Sequence, residues 1–171
     1  MNINIFFLII IGGLLAIFTL FEPIDIKKQK ASEIPILELE KFKLTELSVK
    51  GLSSIMEGSH GFRYSDRYSV LDLDYTDNTN ELLDNIKAKN GLYKGNVIDL
   101  NGDVVYFRED GLTFKTQNGR YNQKTDVVQA LTKYVSHMKG NRATGSSIEY
   151  NNALGTIKSK NIVANYKLKE R

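Results

Sequence analysis

The residues most able to do chemistry are two histidines, each in a polar setting. Ser59 precedes His60 in the stretch GSHG, but neighbouring residues of an extended strand point to opposite faces, so the two cannot by themselves form a nucleophile–base pair. His137 lies in YVSHMK and has no ligand-type residue at a metal-binding spacing. The sequence therefore predicts no catalytic residue and a protein that is not an enzyme.

An acidic run, DLDYTDNTNELL, begins at Asp72 and has the general look of a calcium-binding loop. Aligning Asp72 with the first ligand position places Asp77 where a glycine is needed and Leu83 where a bidentate glutamate belongs. The alternation of Leu71 and Leu73 with the acidic residues instead indicates the solvated face of a strand. We therefore predict no metal site, and with neither a cysteine nor a phosphate-binding glycine loop we predict no cofactor.

Composition narrows the remaining classes. The chain has 171 residues, a net charge of +3 and no cysteine. Its 23 basic and 20 acidic residues are interspersed rather than clustered, which is not the footprint of a nucleic-acid-binding protein. The 17 tyrosine and phenylalanine residues (9 and 8) favour strands.

An apolar run opens the chain, and no charged residue precedes Glu22. As a helix, Ile5–Phe21 would extend roughly 26 Å, close to the ~30 Å of a hydrocarbon core. It has neither the basic start nor the small-residue exit of a cleaved signal peptide, so we predict an uncleaved single-pass anchor. Gly12, Gly13 and Ala16 lie in it, and Gly12 with Ala16 would let another helix approach closely. Lysines just after the span leave its orientation open on charge alone.

The remainder reads as short strands. We predict an anchor over residues 1–22, a linker over 23–35 and an all-β domain over 36–171. The clearest alternation is Ile162–Leu168, and further alternations occur at LDLDY and LTFKT. NELLDNIKAK suits a strand or a short helix equally well.

Turn residues divide these strands. Asn-Gly within Leu100–Asp103 predicts a hairpin turn. A second Asn-Gly, Asn118–Gly119, predicts a bulge in a strand that continues to Tyr121 and turns at Asn122–Thr125, because the apolar phase shifts by one residue there. GRYNQKTDVV and IEYNNALGTI repeat a strand, Tyr-Asn, turn, strand arrangement. This recurrence predicts a sandwich or an open roll of stacked hairpins, with long edges available for docking.

The order of several short motifs resembles the LptC family of lipopolysaccharide export proteins. The resemblance covers Ile86–Leu168 and is weaker before it. It consists of an alanine and an aromatic, Gly-x-Val, Asp-Gly-Leu-x-x-x-Thr, a tyrosine, a spaced glycine pair and a last tyrosine with its strand: Ala88, Tyr93, Gly102, Val104, Asp110–Thr116, Tyr121, Gly140, Gly145, Tyr150 and Ile157.

The resemblance implies a specific arrangement. Proteins of this family are held in the inner membrane by one helix, which associates with the Lpt ABC transporter, and their periplasmic part is a twisted, open β-jellyroll that receives lipopolysaccharide. The C-terminal edge strands pair with the next jellyroll, LptA. This would place the N-terminus in the cytoplasm and the domain in the periplasm.

Candidate residues follow from phase and position. The predicted lipid-binding residues are apolar strand positions, with ordinary core packing left open for each: Phe62, Tyr64, Leu71, Leu73, Leu112, Phe114, Ile148 and Tyr150. The predicted partner-binding residues are Gly140, Ile162, Ala164, Tyr166 and Leu168, with an internal strand as the alternative. Gly51 matches a family glycine. A second hypothesis is a membrane-tethered interaction scaffold of the envelope that carries no lipid.

Overall fold

The computed structural model describes residues 33–49, 51–79 and 81–167. Within these ranges there is no α-helix, and the predicted all-β class is confirmed. The strands are β1 Leu37–Ser48, β2 Gly51–Arg63, β3 Tyr68–Asp77, β4 Asp84–Lys94, β5 Val97–Arg108, β6 Thr113–Asn122, β7 Val127–Ala130, β8 Tyr134–Met138, β9 Asn141–Gly145, β10 Ser147–Asn151, β11 Thr156–Lys160 and β12 Val163–Asn165.

The predicted anchor at Ile5–Phe21 lies outside the described residues. Among those that are described, no helix is both long and apolar enough to span a bilayer.

The strands form one open antiparallel sheet of twelve strands. Its main path is β1-β2-β3-β4-β5-β6-β7-β10-β11, and a branch leaves at β6 through β8 and β9 to β12. The fork arises because Thr113–Thr116 of β6 pair with β8, whereas Arg120–Asn122 pair with β7. Among the described strands β1, β11 and β12 each have a neighbour on one side only, so the sheet does not close.

The long strands are interrupted at a common level near their middles. Left-handed backbone angles occur there in β1, β3 and β5, with φ of 45° at Lys41, 50° at Asp72 and 48° at Asp103. Bulges of this kind bend a strand and increase its twist. These three strands therefore have two halves with different directions, and the sheet acquires a concave face.

The hairpin turn predicted at Leu100–Asp103 is wrong, because β5 runs through this segment. The chain reverses earlier, where Lys94 pairs with Val97 across a two-residue turn of Gly95 and Asn96. Gly95 has a φ of +62°, which a residue without a side chain adopts readily. Gly-Asn is itself a hairpin dipeptide, so the signal was present in the sequence.

The strand predicted to continue through Asn118–Gly119 is present as β6, which ends at Asn122. The predicted place of the bulge is wrong: the extra residue belongs to the facing strand. There Gly102 and Asp103 of β5 lie opposite Gln117 alone.

The repeated Tyr-Asn segments form equivalent turns. The Asn122 side-chain oxygen accepts backbone N–H hydrogen bonds from Lys124 (3.0 Å) and Thr125 (3.3 Å). The Asn151 side-chain oxygen accepts one from Leu154 (3.0 Å). An asparagine side chain that mimics a backbone turn in this way explains why the repeat is centred on this residue.

Few hydrophobic side chains are fully enclosed. In the described part of the chain, the buried hydrophobic residues are Ala88, Val104, Ala130 and Tyr134. Three of these are small. Most of the large apolar side chains of the sheet are therefore only half-buried or exposed.

Candidate functional site

An open groove of about 780 Å³ follows the concave face from β1 to the end of β6. This volume is within the range typical of ligand sites, roughly 300–1,000 Å³. Three rows of directly paired residues form much of its wall. The first is Leu44, Met56, Tyr75 and Ile86; the second is Leu39, Gly61, Val70, Gly91 and Leu100; the third is Leu37, Arg63, Tyr68, Tyr93, Ile98 and Tyr121.

Glycines shape the floor of this groove. A Cβ atom at Gly58 or Gly61 would lie 2.8 Å from the Phe42 ring, and one at Gly91 would lie 3.0 Å from Leu73. Ordinary carbon contacts are about 3.5–4.0 Å. These glycines therefore let Phe42 and Leu73 lie against the sheet, and side chains in their place would push both residues into the groove.

Two of the eight predicted lipid-binding residues, Phe62 and Leu73, border the groove. Leu73 lies in it beside Gly91. Phe62 stands between Gly61 and Arg63, which both face the groove, and its ring stacks on His60 on the opposite face of β2. Tyr64 lies just after β2, where the Arg67 guanidinium sits 4.1 Å from the centre of its ring. Leu71 pairs with His60 and is not among the lining residues. The lipid contacts of all eight remain a prediction.

The other four predicted residues lie outside the groove: Leu112, Phe114, Ile148 and Tyr150. Phe114 stacks on Tyr134 with ring centres 5.3 Å apart. Tyr134 is 2% exposed, and its hydroxyl is 2.9 Å from that of Ser159. Side chains thus fill the branch of the sheet that carries the C-terminal strands.

The sequence interpretation missed most of the wall, including all of β1. The signal was the segment LELEKFKL, in which Leu37 and Leu39 alternate in one phase and Phe42 and Leu44 in the other. The phase changes at the left-handed Lys41. Two short alternations joined by a one-residue shift predict a bent strand, which a single continuous alternation does not describe.

One end of the groove is basic and aromatic. Arg63 is exposed, and its guanidinium carbon lies 5.8 Å from the centre of the Tyr68 ring. Tyr68 in turn stacks on Tyr93 at 6.2 Å. These three residues are neighbours in one row of the wall, so they form a continuous polar rim above the apolar interior.

Two further cations near this end share one carboxylate. Lys94 and Arg67 both pair with Asp66, at 2.7 and 2.8 Å. The hydrogen bond from Lys94 holds the pKa of Asp66 below its usual value, so this carboxylate stays charged. Arg63, by contrast, has no ion-pair partner in the part of the chain that the structure describes.

The opposite end of the groove is acidic. Asp77 lines it and pairs directly across the sheet with Asp84. Burial, and after it the Asp77 carboxylate, raise the pKa of the neighbouring Tyr75. The two ends of the groove therefore differ in sign.

The last strand has an open side. Lys167 donates its backbone N–H to the Asn141 side chain of the β8–β9 turn region, and the Thr144 hydroxyl donates to the Val163 carbonyl. Odd-numbered residues of β12 thus direct their backbone groups toward β9. Because successive residues of a strand alternate, the N–H and carbonyl of Ala164 point to the unpaired side.

The predicted strand Ile162–Leu168 is shorter in the structure, which has only β12, Val163–Asn165. Ile162 is 55% exposed and Tyr166 72%, so both flank the open edge as apolar surface. Leu168 lies outside the described residues.

Two predicted glycines lie at turns. Gly51 begins β2 with a φ of +111°, and Gly140 stands between β8 and β9 with a φ of +82°. L-residues rarely adopt such angles, so backbone shape accounts for both glycines.

The residues first considered for chemistry are engaged elsewhere. The Ser59 hydroxyl donates to Asp72 at 2.6 Å rather than to His60. The His60 Nδ1 atom is buried and has no hydrogen-bond partner among the described residues. Ligand-type atoms of Glu38, Glu40 and His60 lie within 4.8 Å of one another, but both carboxylates are exposed, and exposed acidic groups are common without an ion.

Two more of the polar candidates have ordinary surroundings. His137 is exposed and pairs with Arg142 in the β8–β9 ladder. Asp74, from the acidic run, forms a 2.6 Å ion pair with Lys87.

Comparison with known proteins finds a matching family profile and similar solved structures. The family profile described as "LptC: Lipopolysaccharide-assembly, LptC-related" matches residues 5–166. The crystal structure of LptH from Pseudomonas aeruginosa, the LptA-homologous periplasmic component of the lipopolysaccharide transport device, has a TM-score of 0.51 and 13% identity, over 81% of this chain and 99% of that chain. This second likeness concerns the fold.

Comparison with curated protein sequences yields no match. The family profile, however, covers nearly the whole chain and supports a role in lipopolysaccharide transport. The chain therefore belongs to the LptC-related family of lipopolysaccharide-assembly proteins.

Proposed function

We propose that this protein is a membrane-anchored, non-enzymatic component of lipopolysaccharide export. In this proposal its N-terminal helix sits in the inner membrane beside the Lpt ABC transporter, and its sheet lies in the periplasm. The groove receives the acyl chains of lipopolysaccharide, and the C-terminal edge passes them to the bridge protein LptA. Family membership and the apolar run Ile5–Phe21 support the anchor and its location.

The observation that carries the proposal is the unfilled apolar groove. Each methylene group moved from water to an apolar environment contributes about 0.8 kcal/mol, so ten of them contribute roughly 8 kcal/mol before the cost of ordering the lipid. No reacting group is needed for such binding. Leu39, Val70 and Leu100 form a central row that would contact the chains.

Photo-crosslinking in cells tests the groove. A benzophenone amino acid at Met56 should give an adduct with lipopolysaccharide, because Met56 belongs to the first row of the groove wall. Glu57 is the matched control on the same strand, since it is exposed and pairs with Lys43 away from the groove. A benzophenone amino acid at Phe114 tests whether lipid also reaches the region where Phe114 stacks on Tyr134.

The outcomes separate the two functional hypotheses. Adducts at Met56 and none at Glu57 support lipid transport. Absence of adducts at Met56, with the protein present at normal levels in the membrane, favours a scaffold that carries no lipid. Equal adducts at both positions would indicate nonspecific contact with lipid and contradict the groove as the binding site.

The proposed docking edge is β12, and the direction of its backbone N–H groups allows a specific test. Ala164→Pro removes a backbone N–H that points away from β9, and proline is tolerated on such an edge. We expect loss of LptA binding with the fold retained. Val163→Pro is the comparison variant, because it removes an N–H directed toward β9 and should disturb the domain itself. Undiminished LptA binding by Ala164→Pro would exclude this edge.

A further inference from the structure

The groove is electrically asymmetric, and its asymmetry bears on how a charged lipid would lie in it. Arg63 stands at one end without an ion-pair partner among the described residues, whereas Asp77 and Asp84 face each other at the opposite end. Between them the wall is almost entirely apolar. An amphiphile with an anionic group is therefore attracted to one end and repelled from the other.

We propose that Arg63 is a positioning residue that binds the phosphate of an acylated, anionic lipid, so that the lipid enters with its charged group at the Arg63 end. This inference rests on the proposed function of the groove. It adds the orientation of the bound lipid and identifies Arg63 as the residue that recognises the phosphate of that lipid.

The local geometry suits this role. The guanidinium is exposed and lies against the Tyr68 ring, which leaves its N–H groups available to an incoming oxyanion. A planar guanidinium can bind two phosphate oxygens at once. Tyr68 and Tyr93 are 47% and 37% exposed, and tyrosines of this kind suit a boundary between an apolar interior and a polar head group.

The nearby cations do not compete for this role. Arg67 and Lys94 both pair with Asp66, so their charged groups are already engaged, and this one carboxylate offsets one of the two positive charges. Arg67 also has the same side chain as Arg63 and lies on the loop between β2 and β3. It is therefore a matched control: the same chemical change at Arg67 should not remove the recognition.

The test compares two single-chain lipids of equal chain length, a lysophosphatidic acid and a monoacylglycerol, which differ by the phosphate. Full-length protein in phosphatidylcholine nanodiscs carries a photo-crosslinker at Leu73, within the groove. The adduct yield with each lipid is measured for the wild-type background and for Arg63→Gln, Arg63→Lys and Arg67→Gln. Inorganic phosphate in excess is added as a competitor in a parallel sample.

We expect the wild-type background to prefer the phosphate lipid by about fivefold, the upper range for an exposed charge pair. Arg63→Gln should abolish the preference without reducing the monoacylglycerol adduct, and Arg63→Lys should retain much of it. Arg67→Gln should leave it unchanged. The preference should fall as salt is raised, which a purely structural effect would not do. Weak competition by inorganic phosphate supports recognition of a phosphate joined to an acyl chain.

Three results would overturn the inference. The preference could survive Arg63→Gln, it could be lost equally in Arg67→Gln, or inorganic phosphate could abolish all binding of the phosphate lipid at the groove. In each case adducts with the monoacylglycerol would still support the proposed groove function. Absence of adducts with both lipids would instead overturn the groove function and this inference together.

Discussion

Substitution of Gly145 by alanine tests how firmly the C-terminal branch of the sheet is packed. A Cβ atom there would lie 2.6 Å from Cε1 of Tyr134 and 3.0 Å from the backbone oxygen of Lys160. Neither neighbour can yield easily, because Tyr134 is 2% exposed, its hydroxyl is within hydrogen-bond distance of Ser159, and Lys160 belongs to the sheet. The ring would have to move by about 1 Å to restore an ordinary carbon contact.

Overpacking of this kind costs about 1–3 kcal/mol. For a chain of this size, 2 kcal/mol corresponds to a fall of about 6 °C in Tm. Gly119→Ala is the matched control, because the nearest atoms to its Cβ would be 3.8 Å away and neither glycine has a left-handed φ. There we expect no loss, or a gain of about 0.5 kcal/mol from a less flexible unfolded chain.

Urea unfolding followed by far-UV circular dichroism gives both values. A second comparison introduces Gly145→Ala into a Tyr134→Leu background, where the smaller side chain should relieve much of the collision. The cost of the alanine should fall there, giving a positive coupling between the two positions. Equal stability of Gly145→Ala and Gly119→Ala would show that Tyr134 is not held as described, and the packing of Tyr134 against Gly145 and β11 would have to be reconsidered.

Three further predictions concern single groups. Burial, and then the hydrogen bond to Asp84, raise the pKa of Tyr106 from 10.0 to about 12, so the neutral phenol stabilises the fold below pH 10.0 and this contribution is lost as the pH rises toward 12. The difference in unfolding free energy between wild type and Tyr106→Phe should therefore narrow over this window in urea titrations; a constant difference would contradict it. Gly95→Val should lower the Tm more than Gly95→Asn, because asparagine tolerates the left-handed φ of +62° far better, and equal thermal melts would count against the turn. Asn122→Ala removes two turn hydrogen bonds and Asn151→Ala one, so the first should cost more, at about 1 kcal/mol per bond in chemical unfolding; the reverse order would refute the assignment.

The strand class was predictable from the sequence because alternation is local, but the place of the hairpin was not. The dipeptide of Asn101 and Gly102 predicts a turn because glycine supplies a positive φ. The same angle, +80° at Gly102, serves a bulge in the middle of β5. What decides between the two is the pairing of β5 with β6, and such long-range register is not written in a dipeptide.

The groove was predictable only in part. Leu73 follows from alternation and lines the groove, whereas Leu71, two residues earlier in the same strand, does not. The left-handed Asp72 between these leucines shifts the phase. A bend that alternation does not reveal therefore moves the side chains of half a strand to the other face of the sheet. For this reason Leu71 and Leu73, which come from one motif, are separated in the structure.

The sparse core and the open groove have one physical origin. A bent sheet that filled its own concave face would bury large side chains, yet in the described part of the chain the only large one buried is Tyr134, in the branch where the groove is absent. Elsewhere glycines such as Gly61 and Gly91 let neighbouring side chains lie flat against the sheet, and the apolar rows remain half-buried. The sheet thus buries less apolar surface than an ordinary domain does, and it lacks the stability that this burial would supply. A ligand that covers those rows would stabilise the folded state, because it binds that state and not the unfolded chain. The gain in unfolding free energy is about 2.7 kcal/mol at a ligand concentration one hundred times Kd. A lipid in this groove would therefore act as the missing part of the core.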